Sequence, residues 1–159
     1  VPNVDPSGAA AELSALAPDG LDGRRILHLQ FGDGAHSLAL VELGARVIGV
    51  ERSHDVVVAA RELADGRARF IEADLFDLRH ILPEPESFDL VVSRGASDGE
   101  ADGWAALVAW FLMPGGALLV TPADAAARAP LAAALEGAGF TVEFSRDAPT
   151  PSLGARAPR

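Results

Sequence analysis

Two kinds of apolar stretch take turns along the chain: short continuous runs, and longer segments in which apolar residues recur at helical spacing. The first kind fits strands covered on both faces, the second amphipathic helices. Ile26-Leu27-His28-Leu29 is the first run, followed by the turn residues Gly32-Asp33-Gly34. A helical segment comes next, with Leu38, Ala39, Val41 and Leu43 on its apolar face and a stop at Gly44. Val47-Ile48-Gly49-Val50 is the second run and ends on Glu51. Ser53 is placed to cap a helix over 54–64, whose buried side reads as Val56, Val57, Ala60 and Leu63. Asp65-Gly66 closes that helix, and a third strand over 68–72 stops at Ala73-Asp74. Residues 75–82 read as a helical turn that Pro83 and Pro85 interrupt.

The alternation continues to the end of the chain. Phe88-Asp89-Leu90-Val91-Val92-Ser93 is a fourth strand, with a loop opening at Arg94-Gly95-Ala96. A helix carrying Trp104, Leu107, Val108 and Phe111 is closed by Met113-Pro114-Gly115-Gly116, ahead of a fifth strand over 117–121. An alanine-rich helix over about 123–136 ends at Gly137-Ala138-Gly139, and 140–144 alternates as a sixth strand. A short seventh strand is expected within 153–158, and a short helix over 9–16 precedes the first strand. Alternating strands and helices predict an α/β, doubly wound, mostly parallel Rossmann-like sheet of six to seven strands with helices on both faces. No repeat or second domain is visible, so residues 1–159 read as a single domain with a loose arm over 1–8.

Composition narrows the function classes. The 159 residues are 49% hydrophobic, enough for a packed core. A formal charge of −10 argues against a nucleic-acid backbone as partner, since phosphates are met by clustered Lys and Arg. Cysteine is absent, which removes disulfide, zinc-thiolate and thiol-nucleophile chemistry. His36, His54 and His80 show no metal-ligand spacing, so no metal is expected. No apolar segment is long enough to span a bilayer and no secretory signal is seen, so the expectation is a soluble, cytoplasmic protein.

Chemistry concentrates between Arg25 and Arg52. Strand, glycine turn, helix, second strand and terminal acid make a βαβ unit of nucleotide-cofactor type. The glycines let backbone approach a ligand, and Glu51 can accept hydrogen bonds from ribose hydroxyls. This stretch resembles motif I of the class I S-adenosylmethionine-dependent methyltransferases, in the variant whose first strand ends in Leu-His-Leu-Gln. His28 stands at the usual acid and Gln30 at the usual first glycine, while Gly32 and Gly34 remain of the triplet. In the family this turn receives the carboxylate and amino group of the cofactor's methionine. Residues 70–74, 88–93 and 112–120 resemble three further motifs of the family in the same order, so the likeness covers roughly 25–144.

The resemblance implies a small, minimal Rossmann-like domain that transfers a methyl group from S-adenosylmethionine to a small-molecule acceptor, leaving S-adenosylhomocysteine. It places the cofactor among Gln30, Phe31, Gly32, Gly34, Glu51, Arg52, Asp74, Leu75 and Ser93, with Asp74 toward the adenine amino group. It also implies a final strand running antiparallel in a terminal hairpin. No catalytic base is assigned. Related enzymes bury substrate under helices before the first strand, which are short here, so a homo-oligomer or partner chain is expected to cover the pocket. A non-catalytic S-adenosylmethionine-binding module and an NAD-binding domain are the competing readings. Asp33 weighs against NAD, because a carboxylate in the turn repels pyrophosphate but is tolerated beside a sulfonium; Ser37 also occupies the third fingerprint glycine position.

Each site residue has a plainer reading. Glu51 can be a polar residue at a strand exit, although its place after the glycine turn favours the ribose role. Asp74 can equally cap the turn after it, and Phe31 can pack beneath the glycine turn. His28, inside an apolar strand, reads as a satisfied core histidine. Arg94 reads as a solvated residue.

Overall fold

The computed structural model describes residues 16–31, 34–93, 101–122, 125–146 and 152–159. They form one seven-stranded sheet: β1 (Arg25–Leu29), β2 (Arg46–Glu51), β3 (Arg69–Glu72), β4 (Phe88–Ser93), β5 (Leu112–Val120), β6 (Thr141–Arg146) and β7 (Ser152–Arg156). The helices are α1 (Ala35–Glu42), α2 (His54–Ala64), α3 (Leu78–Ile81), α4 (Ala101–Phe111) and α5 (Ala125–Gly137), with a 3-10 turn at Leu75–Asp77 before α3. The strand order is β3-β2-β1-β4-β5-β7-β6. β1 to β5 run parallel, and β7 is antiparallel to both β5 and β6, as the expected terminal hairpin requires. The short helix over 9–16 and the arm over 1–8 lie outside the described residues, apart from Leu16.

Burial explains the centre of the sheet. Ile26, Leu27, Leu29, Leu90, Val91 and Val92 are all buried, and strands with both faces dry must pair on both edges to satisfy their backbone. The register sets Ile26 beside Leu90 and Leu29 beside Ser93. Chain connections diverge at this pair: β1 leads outward to β2 and β3, whereas β4 leads the other way to β5. A topological switch point of this kind opens a ligand crevice at the carboxyl ends of the strands.

Around α1 and α2 the packing is tight enough to require glycine. Phe31 and Phe70 pack with tilted rings, centroids 4.6 Å apart, and join Leu38, Val57, Ala60 and Ala64 in a separate apolar cluster. Gly49 in β2 lies against both rings, so a Cβ there would come within 2.6 Å of Phe70 and 2.8 Å of Phe31. Arg61 ties α2 to β3 by donating from Nε and Nη2 to the Phe70 carbonyl at 3.2 and 2.9 Å. Ser53 caps α2 as expected, its hydroxyl accepting from the Val56 N–H.

Three expectations are corrected. The buried face of α1 is Ser37, Leu38 and Leu40, while Leu43 is 56% exposed. In α2 the last core position is Ala64, and Leu63 turns outward. In α2 the misreading favoured the larger Leu63 over Ala64, where close packing selects the smaller side chain, and in α1 it passed over Leu40 for Ala39, Val41 and Leu43. The segment Met113-Pro114-Gly115-Gly116 is a bulge inside β5 and not a turn ahead of it. Phe88 pairs with Leu112, but Leu90 pairs with Ala117, so the residues between are looped out. Pairing begins so early because the Phe111 carbonyl at the end of α4 already accepts from the Ser87 N–H at 3.0 Å.

Gly49→Ala is expected to destabilise the fold by about 1–3 kcal/mol, because neither aromatic ring can retreat in a filled cluster. Gly137→Ala, at the end of α5 where an added Cβ would meet nothing within 4 Å, is expected to change stability little or raise it. Urea unfolding of the two variants beside wild type measures both.

Candidate functional site

The carboxyl ends of the strands bring most of the sequence-predicted residues to one edge. Gln30, Phe31 and Gly34 follow β1, Glu51 ends β2 with Arg52 beyond it, Asp74 follows β3, and Ser93 ends β4. Gly32, Asp33 and Arg94 lie outside the described residues. Their arrangement along the edge follows from register: Leu29 lies beside Val50 and Ser93, and Glu51 beside Glu72.

The glycine turn is built from special backbone. Gln30 adopts φ 53, and its N–H donates to the Val50 carbonyl at 2.8 Å, tying the exit of β1 to β2. Gly34 is the N-cap of α1 with φ 89, and among the described residues no side chain caps that helix. A Cβ on Gly34 would lie 3.1 Å from Ala60 Cβ, so this glycine serves both the left-handed conformation and the approach of α1 to α2. Phe31 is 1% exposed, its ring packed in the cluster with Phe70, Leu38 and Ala60. His28 is buried too, and its Nδ1 lies 2.6 Å from the Ser37 hydroxyl, the satisfied core histidine that the sequence suggested.

At the ends of β2 and β3 the edge turns acidic. Glu51 and Glu72 are register partners, and Asp74 lies two residues further along the chain. Like charges opposed across strands are unfavourable unless neighbouring donors relieve them. Here Arg52 Nε lies 3.7 Å from Asp74 Oδ2, and His54 Nδ1 lies 2.7 Å from Glu72 Oε1. Glu51 is half-buried, and its Oε1 accepts from the Arg52 N–H at 2.9 Å. A carboxylate has further lone pairs, so Glu51 retains acceptor capacity for hydroxyl groups. Asp74 does cap the 3-10 turn, with Oδ1 accepting from the Phe76 N–H at 3.0 Å.

Leu75 points into the main core, whereas its neighbour Phe76 is 47% exposed. The Phe76 ring leans on Gly103 in the first turn of α4, where a Cβ would meet it at 3.3 Å. Phe76, Glu72 and His54 are edge residues that the sequence reading passed over. The signal for Phe76 was available: apolar residues at 75 and 76 open a helical turn, and only one can face the core.

A cavity of about 710 Å³ among the described residues is elsewhere. It opens at the amino ends of β1 and β4, lined by Leu16, Arg24, Asp89, Met113 and Arg156 among others. Size does not make it the site, because the switch-point crevice is at the opposite ends of the same strands.

Residues 26–116 match the family model described as a methyltransferase domain. No curated protein matches the sequence. Among solved structures, the chain is similar to magnesium protoporphyrin IX methyltransferase of Synechocystis with bound S-adenosylmethionine. Identity is 20%, the TM-score 0.75, and the alignment covers 95% of this chain and 78% of that one. A TehB-like S-adenosylmethionine-dependent methyltransferase of Corynebacterium glutamicum aligns at 19% identity and TM-score 0.76, over 96% and 88% of the two chains. The cyclase SpnF aligns at 20% identity and TM-score 0.73, over 95% and 82%.

Substitution at Asp74 separates its cap from its charge. Asp74→Ala is expected to cost about 1 kcal/mol, the usual loss of a cap, whereas Asp74→Asn still accepts from the Phe76 N–H and should stay near wild type. Thermal unfolding of the three proteins reads the difference.

Proposed function

The chain belongs to the methyltransferase-domain family, with S-adenosylmethionine as its cofactor, and from that premise we propose that it methylates a small-molecule acceptor. The observation that carries the cofactor assignment to particular residues is the acidic edge, Glu51 with Glu72 and Asp74, beside a glycine turn that contains Asp33. Carboxylates suit hydroxyl and amino donors and tolerate a sulfonium; they oppose a pyrophosphate. Glu51 would hold the ribose hydroxyls. Asp74 would face the adenine amino group with the oxygen that meets Arg52, since its other oxygen serves the cap. Gln30, Phe31, Gly32 and Gly34 would receive the methionine end through backbone, with Ser93 at the floor between β1 and β4.

When bound, S-adenosylmethionine supplies a methyl group already activated on sulfur. The chain contributes alignment and exclusion of water, which bring the acceptor's nucleophilic atom in line with that methyl. No described side chain is assigned as a general base.

The net charge of −10 supports a small acceptor over a nucleic acid. Among the described residues no helix is long and apolar enough to cross a membrane. A cytoplasmic setting, a single domain over 1–159 and a second copy or partner covering the pocket complete the proposal.

S-adenosylhomocysteine is expected to raise the melting temperature, while NAD and NADP leave it unchanged, because a ligand stabilises the state that binds it. A shift with NAD alone would reverse the cofactor assignment. Methyl transfer itself is read by turnover against a panel of small-molecule acceptors.

Glu51→Ala should lose charge-assisted hydrogen bonds worth about 1.5–3 kcal/mol each, lowering cofactor affinity at least about tenfold. Glu51→Gln keeps one acceptor oxygen and should lose less. Calorimetric titration decides, and equal affinities in all three proteins would remove Glu51 from the site.

A further inference from the structure

Two polar side chains are buried on the elements that flank the glycine turn: His28 of β1, 2% exposed, and Ser37 of α1, 0% exposed. Polar groups at that depth are kept only when they are hydrogen-bonded, and His28 Nδ1 meets Ser37 Oγ at 2.6 Å. The imidazole also touches both limbs of the turn. Its ring centroid is 6.4 Å from that of Phe31 on the entering limb and 5.3 Å, edge to face, from that of His36 on the leaving limb. Immediately before Phe31, Gln30 holds φ 53, a conformation that non-glycine residues keep only where the surroundings impose it.

Position 37 is where a dinucleotide fingerprint carries its third glycine, which allows the helix to close onto the strand. This chain has a serine there, and β1 presents an imidazole to it. The helix is therefore held to the strand by a side-chain hydrogen bond and not by bare backbone contact. The bond lies one turn from Gly34, so it fixes where α1 begins relative to the end of β1.

We propose that the His28–Ser37 hydrogen bond is a staple across the turn, shaping it for the amino-acid end of S-adenosylmethionine. His28 and Ser37 are positioning residues that act through the turn's backbone. The inference rests on the methyltransferase reading and adds to it a division of labour. The staple serves the methionine end, while Glu51 and Asp74, on other strands, serve the nucleoside end.

The test compares S-adenosylhomocysteine with adenosine, which lacks the amino-acid end, by calorimetric titration of wild type and three variants. His28→Gln moves the polar atom away from the Nδ1 position, and Ser37→Ala removes the hydroxyl. Both should weaken S-adenosylhomocysteine binding about tenfold and leave adenosine within about twofold, the loss expected from one buried hydrogen bond. His28→Asn puts an amide where Nδ1 lies and should restore S-adenosylhomocysteine affinity to within about threefold of wild type. A merely structural role would weaken both ligands together and would not separate Asn from Gln. Parallel loss of both ligands, or wild-type affinity in His28→Gln, overturns the staple. Failure of the wild type to bind S-adenosylhomocysteine overturns the methyltransferase reading, and the staple with it. Should the variants fail to fold, nitrogen NMR of wild-type His28 provides the readout. Its Nδ1 resonance should move on saturation with S-adenosylhomocysteine and stay in place with adenosine; an unmoved resonance overturns the proposal.

Discussion

The pairing of β1 with β4 is the constraint on which the rest of the molecule depends. Leu27, Leu29 and Val91 are fully buried in these strands, so no water reaches their backbone and the ladder between them is obligatory. Because the chain leaves this pair in opposite directions, the helices cannot close over its carboxyl ends. The crevice is thus a by-product of connectivity. Glu51, Asp74, Ser93 and the glycine turn become neighbours of it only because each stands at the end of a strand held in this order.

What could be read from the sequence was whatever depends on backbone pattern. The central runs identified themselves because burial on both faces leaves room for few polar residues, and α2 because Ser53 and Asp65-Gly66 mark its two ends. Ala64 and Leu40 were missed for a different reason. Which apolar residue faces inward depends on the distance to the opposing element, and Gly34 against Ala60 shows how short that distance is. The bulge in β5 escaped because proline and glycine signal irregular backbone without saying whether it precedes the strand or interrupts it. At the site, residue identity pointed to Glu51 and Asp74, but pairing across strands brought Glu72 and His54 beside them, and no local motif encodes that.

The acidic edge sets a local electrostatic rule against a requirement of the fold. Opposed carboxylates at the ends of β2 and β3 have to be offset where they stand, and natural sequences accept such conflicts mainly at functional sites. The fold alone does not specify which reaction follows, as the likeness to a cyclase illustrates. Methyl transfer makes modest demands on side-chain chemistry, since the reactive group arrives with the cofactor. A domain that binds and aligns its cofactor can meet them.

β7 lies between β5 and β6 although it follows both in the chain. Ala117, Leu118, Leu119 and Val120 pair on one side with β4, and on the other only with residues 153–156. While the chain is being made from its amino end, that apolar edge is complete long before the strand that covers it. An unpaired hydrophobic edge is a template for pairing with other chains. Through the interval between translating residue 120 and residue 156, this edge therefore stays open to such pairing.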